Sequence, residues 1–262
     1  MLKKQSGIVI NTLMAVGALL LLCSCGKEVK HNAELLTLAY DEAKSANWDK
    51  ARVLARTATE QDPRDVTALT MYALCLENCG NPEEAQQALR QAIKIEPDNF
   101  RVQYNLGRIL FLHGRYEDCV NHLRAAEKLK PDDVNTLLLL AQVEEKLKLL
   151  SAADIYNKLA RSPRFVNRPG PWNQMAVAYA EHGNNLSALK CFMQAYKHGG
   201  DSYIVALNFA VFLDYYLNSV DSRKRAVQFY RQYLRLTANN PEMQARRDEV
   251  SDRIRALARV NP

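Results

Sequence analysis

From residue 32 onward, apolar residues recur at helical spacing, three or four positions apart, and no run alternates with the period of two that marks a strand. Ala and Leu occupy most of these positions, while Gly and Pro number only 10 and 9 among 262 residues. The body is therefore expected to be all-α. Pro63, Pro97 and Pro131 punctuate it at intervals of 34 residues, and the segments between them superimpose residue for residue.

Laid over one another, the segments resemble the tetratricopeptide repeat (TPR). That pattern has large or apolar residues at positions 4, 7, 11 and 24, small residues at 8, 20 and 27, and often Pro at 32. A first unit starts near Asn32, with Leu35, Leu38, Ala39, Ala51, Ala58 and Pro63 in register. The second, from Val66, has Leu69, Tyr72, Ala73, Leu76, Gly80, Ala85, Leu89, Ala92 and Pro97; Asn81 stands as N-cap of its second helix. The third, from Phe100, has Leu106, Gly107, Gly114, Cys119, Leu123, Ala126 and Pro131. The fourth, from Val134, keeps Leu137, Leu140, Ala141, Ala153 and Ala160, with Lys148 in place of the turn glycine. After a turn longer by one residue, within 161–171, the fifth starts at Pro169 and matches best: Trp172, Met175, Ala176, Tyr179, Gly183, Ala188, Phe192 and Ala195. A sixth is degenerate, its second helix displaced by about four residues around 218–223.

The resemblance implies a right-handed superhelical solenoid over 32–240. Small residues at 8, 20 and 27 would let paired helices approach closely while the large positions fill the gap between them. Residues 241–262 read as a capping helix with Met243, Val250, Ile254 and Leu257 on one stripe and arginines opposite, covering the open end that a solenoid leaves.

The N-terminus is a separate object. Lys3 and Lys4 precede an apolar run, 7–22, that ends in Leu22-Cys23-Ser24-Cys25-Gly26. This is an export signal, and it resembles that of bacterial lipoproteins, which implies cleavage after Ser24 and lipid on Cys25. An uncleaved membrane helix is the alternative, though the run is short for a span of about 20 residues. Cys23 is the other candidate, but it would put Leu22 at the site before cleavage, where a small residue is wanted. Residues 25–31 form the tether, and the six after Cys25 reach about 20 Å at most, which would keep the repeats near the bilayer. Gly26 is not an Asp-type retention signal, so in a Gram-negative envelope the outer membrane, facing the periplasm, is expected over the inner. Loss of 1–24 lowers the formal charge from +6 to +4 by removing two lysines. That mild excess is no argument for nucleic acid as a partner.

Little in the repeats suggests reaction chemistry. There is no phosphate loop, nucleophile elbow or His-Glu-x-x-His, so neither catalysis nor a cofactor is expected. Cys75, Cys79, Cys119 and Cys191 have no Cys-x-x-Cys pair and no His at ligand spacing, which argues against a metal. They read as buried or half-buried free thiols, with disulfides the alternative in an oxidising compartment. His113 and His182, at position 14, read as capping residues near helix ends.

In the TPR family the first helix of each unit lines a concave surface, and positions 2, 5, 6, 9, 12 and 13 reach ligands. Here they carry Arg101, Tyr104, Asn105, Arg108, Asn135, Gln142, Glu145, Asn173, Gln174 and Asn208. Amides can pair with the backbone of an extended peptide, and the arginines can meet an acidic group. The family's carboxylate clamp wants Lys and Asn where Leu36 and Tyr40 stand, which argues against that ligand. The expected function is a non-catalytic, membrane-anchored scaffold holding a protein or extended peptide during assembly of an envelope complex. Its size, anchor and repeat number resemble type IV pilus pilotins. An adaptor presenting substrates to a hydrolase or protease is the other reading.

Overall fold

The structure is a computed structural model that describes residues 32–217 and 219–260. The apolar run, Cys25 and the tether lie outside the described residues. Every regular element among the described residues is helical, and none is long and apolar enough to cross a membrane. The chain divides into two units, one through Gly114 and one from Arg115.

The first unit holds α1 (32–44), α2 (Trp48–Gln61), α3 (Val66–Asn78), α4 (Pro82–Ile95) and α5 (Phe100–Leu112). The second holds α6 (Tyr116–Leu129), α7 (Val134–Lys146), α8 (Ala152–Arg161), α9 (Pro169–Glu181), α10 (Asn185–Gly199), α11 (Tyr203–Val211), α12 (Val220–Leu236) and α13 (Gln244–Val260). In each unit, helices adjacent in the chain pack as antiparallel hairpins, as the repeat pattern predicts.

The hairpin turns share one backbone device. Ala46, Gly80, Gly114 and Lys148 all have positive φ, at 61°, 81°, 71° and 53°, and they follow one another at 34 residues. Gly183, with φ 74°, comes 35 after Lys148, the added residue lying in the longer turn that ends at Arg168. A left-handed residue reverses the chain right after a helix, and glycine adopts it without a Cβ clash. Ala46 and Lys148 hold the same geometry without that freedom.

Capping falls mainly on the first helix of each hairpin. Asp65 accepts from the amides of Thr67 and Ala68, Asn99 from those of Arg101 and Val102, and Asp133 from that of Thr136. Asn81 stands at the N-cap of α4 as the sequence suggests, but its side chain makes no cap hydrogen bond. Pro82 at the first turn, which needs no amide donor, serves that end instead.

The small positions are sealed. Ala39, Ala51, Ala58, Ala73, Ala85, Ala92, Cys119, Ala126, Ala141 and Ala188 have no exposed surface. Cys119 thus does what alanine does elsewhere. All four repeat cysteines are free; Cys79 is half-buried and the other three are buried. In the second unit Phe192 is the hub of an aromatic core, with its ring 5.2 Å from Phe209 and 5.1 Å from Phe212.

The sixth hairpin departs from the pattern in a way that corrects the sequence reading. Its second helix is not displaced by four residues: α12 starts 17 residues after α11 starts, against 16 for α10 after α9. What changes is the end of α11, which runs on as a π-helical turn, Phe212–Leu217. That turn buries Asp214, which pairs with Arg253 of α13 and accepts from the Tyr230 hydroxyl at 3.1 Å. Val250 and Leu257 bury the apolar side of α13, and Arg253 crosses back to the repeats where the sequence placed it among solvent-facing arginines.

Candidate functional site

The inner faces of α1, α3 and α5 enclose a cavity of about 440 Å³ in the first unit. From α1 come Leu36 and Tyr40; from α3, Val66, Thr67, Thr70, Met71 and Leu74; from α5, Phe100, Arg101, Tyr104 and Asn105, with Asn99 at its cap. Most of these are apolar or aromatic, and Tyr40 remains 61% exposed. The Thr70 hydroxyl is turned back to its own helix, donating to the Val66 carbonyl at 2.7 Å.

Arg101 is the only charged residue lining the cavity, and its side chain makes no ion pair among the described residues. An open trough with an apolar floor, one unmatched cation and amide and hydroxyl groups suits an extended chain carrying apolar side chains and an acidic group.

The structure thus brings Arg101, Tyr104 and Asn105 together on one wall. It adds Leu36, Tyr40, Thr67, Thr70, Met71 and Leu74, which the sequence reading left out. These six stand at positions 2, 5, 6 and 9 of the first two repeats, the same positions used for later repeats. The sequence reading drew its groove residues from the third repeat onward and so missed them.

Arg108 belongs elsewhere. Its guanidinium forks onto the Glu77 carboxylate, Nη1 at 2.8 Å from Oε1 and Nη2 to Oε2, with both side chains largely covered. It fastens α5 to α3 and has no free charge to offer a ligand.

In the second unit the remaining amides bond mainly to one another. Asn208 Nδ2 donates to Asn173 Oδ1 at 3.3 Å, and Asn173 Nδ2 donates to Gln174 Oε1 at 3.0 Å. Gln174 Nε2 donates to the Glu145 carboxylate at 3.3 Å, which also accepts from the Tyr156 hydroxyl at 2.7 Å. Burial first, and then the bond to Glu145, hold the Tyr156 phenol well above its ordinary range. The chain of bonds spans α7, α8, α9 and α11, and Asn173 within it is buried. Partnering requires a buried amide to be satisfied, so Asn173 serves packing between repeats rather than a ligand. Asn135 and Gln142 of α7 remain exposed.

Burial pushes the Cys75 and Cys191 thiols up to about 11. Cys79, less covered, is also raised, by burial and by the neighbouring Asp49. None is a poised nucleophile. His182, at the C-cap of α9, places Nδ1 2.8 Å from the Ala178 carbonyl and Nε2 3.0 Å from that of Lys148. It closes its own helix and ties it to the preceding hairpin turn.

Residues 42–104 and 80–143 match the family model for the tetratricopeptide repeat. Residues 42–143 carry tetratricopeptide repeats. Over 191 residues it is 27% identical to the tetratricopeptide repeat-containing protein trd-1 of Caenorhabditis elegans, covering 71% of this chain and 23% of that protein. Over 118 residues it is 27% identical to human tetratricopeptide repeat protein 7B, covering 44% of this chain and 14% of the other. The match therefore spans less than a quarter of the length of either curated relative.

Among solved TPR folds, Pseudomonas aeruginosa PilF superposes with a TM-score of 0.57 at 22% identity, over 85% of this chain and 99% of that one. YrrB, described as a TPR protein with an unusual peptide-binding site, superposes with a TM-score of 0.59 at 16% identity, over 71% and 93%. MamA gives 0.56 at 17%, over 66% and 93%. At these identities the likeness concerns the fold.

Proposed function

We propose that this chain is a non-catalytic, lipid-anchored scaffold that holds an extended segment of an envelope protein in the trough of its first three repeats. The observation that carries the reading is that trough: an open, mostly apolar channel across α1, α3 and α5 with the unmatched Arg101 on its wall. Exposed apolar surface of this kind on a scaffold of hairpins is a docking feature. The peptide-binding site named for YrrB supports the same use of the fold.

The Leu22-Cys23-Ser24-Cys25 end of the apolar run supports lipidation at Cys25 and a working place at a membrane, the periplasmic face of the outer membrane in a Gram-negative cell. Assembly of an envelope complex, in the manner of the pilotins, follows from that address together with likeness to PilF along nearly the whole of its chain.

Mass spectrometry of the mature N-terminus tests the anchor. Affinity purification from detergent-solubilised envelopes tests the scaffold. A ring or barrel subunit recovered with the native chain and lost with Arg101→Glu and Leu74→Asp together is the expected result. Recovery of a peptidase in its place would favour the adaptor reading, and intrinsic hydrolytic activity abolished by one side-chain change would overturn the non-catalytic one.

A further inference from the structure

The positive charge of this chain is not spread evenly. Residues 220–262 hold ten of the 35 lysines and arginines but only five of the 29 acids, so +5 of the formal +6 sits in the last 43 residues. Several acids there are already engaged: Glu249 by Arg246, Asp252 by Arg255, and Asp248 by the Gln244 amide. Lys224, Arg231 and Arg235 form no ion pair among the described residues, and all three are exposed.

These three cations lie on one line. At about 100° per residue, Lys224, Gln228, Arg231 and Arg235 fall within roughly 60° of one another on α12, a stripe about 16 Å long at 1.5 Å per residue. The opposite side of the helix is buried through Ala226, Tyr230 and Tyr233. Beside the stripe, α12 and α13 leave a cleft of about 240 Å³ whose floor is Val227, Ile254 and Leu257 and whose lining includes no carboxylate. The cleft and the stripe are continuous, sharing Lys224, Gln228 and Arg231.

We propose that this face of α12, with the cleft beside it, docks on an anionic bilayer surface: phosphate head groups meet the stripe, and an apolar part of a lipid enters the cleft. A line of unmatched cations beside an apolar slot fits that surface. Duplex nucleic acid would satisfy the cations, but its apolar base faces are stacked inside the helix, away from the floor. A planar array of anions also matches three charges spaced along 16 Å better than a single small anion does. The proposal rests on the reading that the chain works at a membrane, and its test reports on the two separately.

The full chain is mixed with vesicles of phosphatidylcholine alone, or of phosphatidylcholine and phosphatidylglycerol at 7:3, neither of which carries a primary amine. Sedimentation with the phosphatidylcholine vesicles reports the lipid anchor. Modification of Lys224 by an amine-reactive ester, and of Arg231 by a glyoxal reagent, reports the stripe. Several-fold slower modification of both on phosphatidylglycerol vesicles, restored by half-molar salt and weakened by Gln228→Glu, is expected. Equal rates on the two kinds of vesicle would overturn the proposal. So would protection by soluble polyglutamate without protection by vesicles, which would assign the face to an acidic protein.

Discussion

Asp214 and Arg253, 39 residues apart, form a two-point ion pair: Nε lies 2.7 Å from Oδ2 and Nη2 2.8 Å from Oδ1. The pair explains why the sixth hairpin abandons the repeat pattern. A π-helical turn at the end of α11 carries Asp214 inward, where it can hold the capping helix through Arg253 while the Arg253 guanidinium lies 4.7 Å from the Tyr215 ring centre. Asp214 is fully buried and Arg253 about a third exposed, so removing the arginine leaves a covered carboxylate with only the Tyr230 hydroxyl. Arg253→Ala is expected to cost about 3 kcal/mol, at the lower end for a broken buried pair because water reaches the arginine. Urea unfolding measures the loss, and hydrogen exchange should show α13 opening first.

The two hairpin turns without glycine offer a gain. A left-handed conformation costs a residue with a Cβ roughly 1–2 kcal/mol, and glycine gives back about half of that through its freer unfolded chain. Ala46→Gly and Lys148→Gly are each expected to stabilise by about 0.5–1 kcal/mol. The sites are far apart in sequence and share no partner, so thermal melts of the double variant should show the two gains adding.

The two arginines that the sequence puts side by side in one groove should separate by experiment. Arg108→Ala strips Glu77 of its partner and is expected to lower stability by about 1–2 kcal/mol, since Arg108 keeps 29% of its side chain in water. Arg101→Glu, on an exposed residue, should leave the melting temperature within a degree or so and weaken partner binding. Melting curves run beside the affinity purification distinguish the two roles.

Alkaline pH should act through the buried thiols. The unfolded chain frees Cys75 and Cys191 to ionise near the ordinary value of about 8.5, whereas the folded chain holds them up to about 11. Their folded pKa is raised, so the stability they contribute is intact below about pH 8.5 and declines as pH rises toward 11. Replacing both by alanine should flatten that decline in urea unfolding curves taken across the window. At pH 8 an alkylating reagent should reach Cys79 before Cys75, Cys119 or Cys191.

Much of the fold was legible because the repeat writes itself into small residues. Ala85 and Ala188 occupy sealed positions with no exposed surface. A leucine at either is expected to overpack its hairpin at a cost of about 1–3 kcal/mol. Left-handed backbone at Ala46 was not legible, since nothing in an alanine announces positive φ, and the π-helical turn was not, because Asp214 finds its partner 39 residues on. At the site, repeat positions named the right helix faces but not which side chains were already spoken for. Arg108 and Asn173 fit the ligand-facing positions, yet Glu77 and Asn208 hold them. Leu36, Met71 and Leu74 stand at the same positions in the first two repeats, which the sequence reading of the groove did not include.

One trough is expected to hold one extended partner. A photo-crosslinking residue placed in turn at Tyr40, Leu74, Tyr104 and, as an outer-face control, the exposed Gln87 of α4 tests this in the cells that make the protein. The first three should each capture the same segment of the same envelope protein, while Gln87 captures none of it. Capture from Gln87 alone, or unrelated proteins from the three trough positions, would contradict the account.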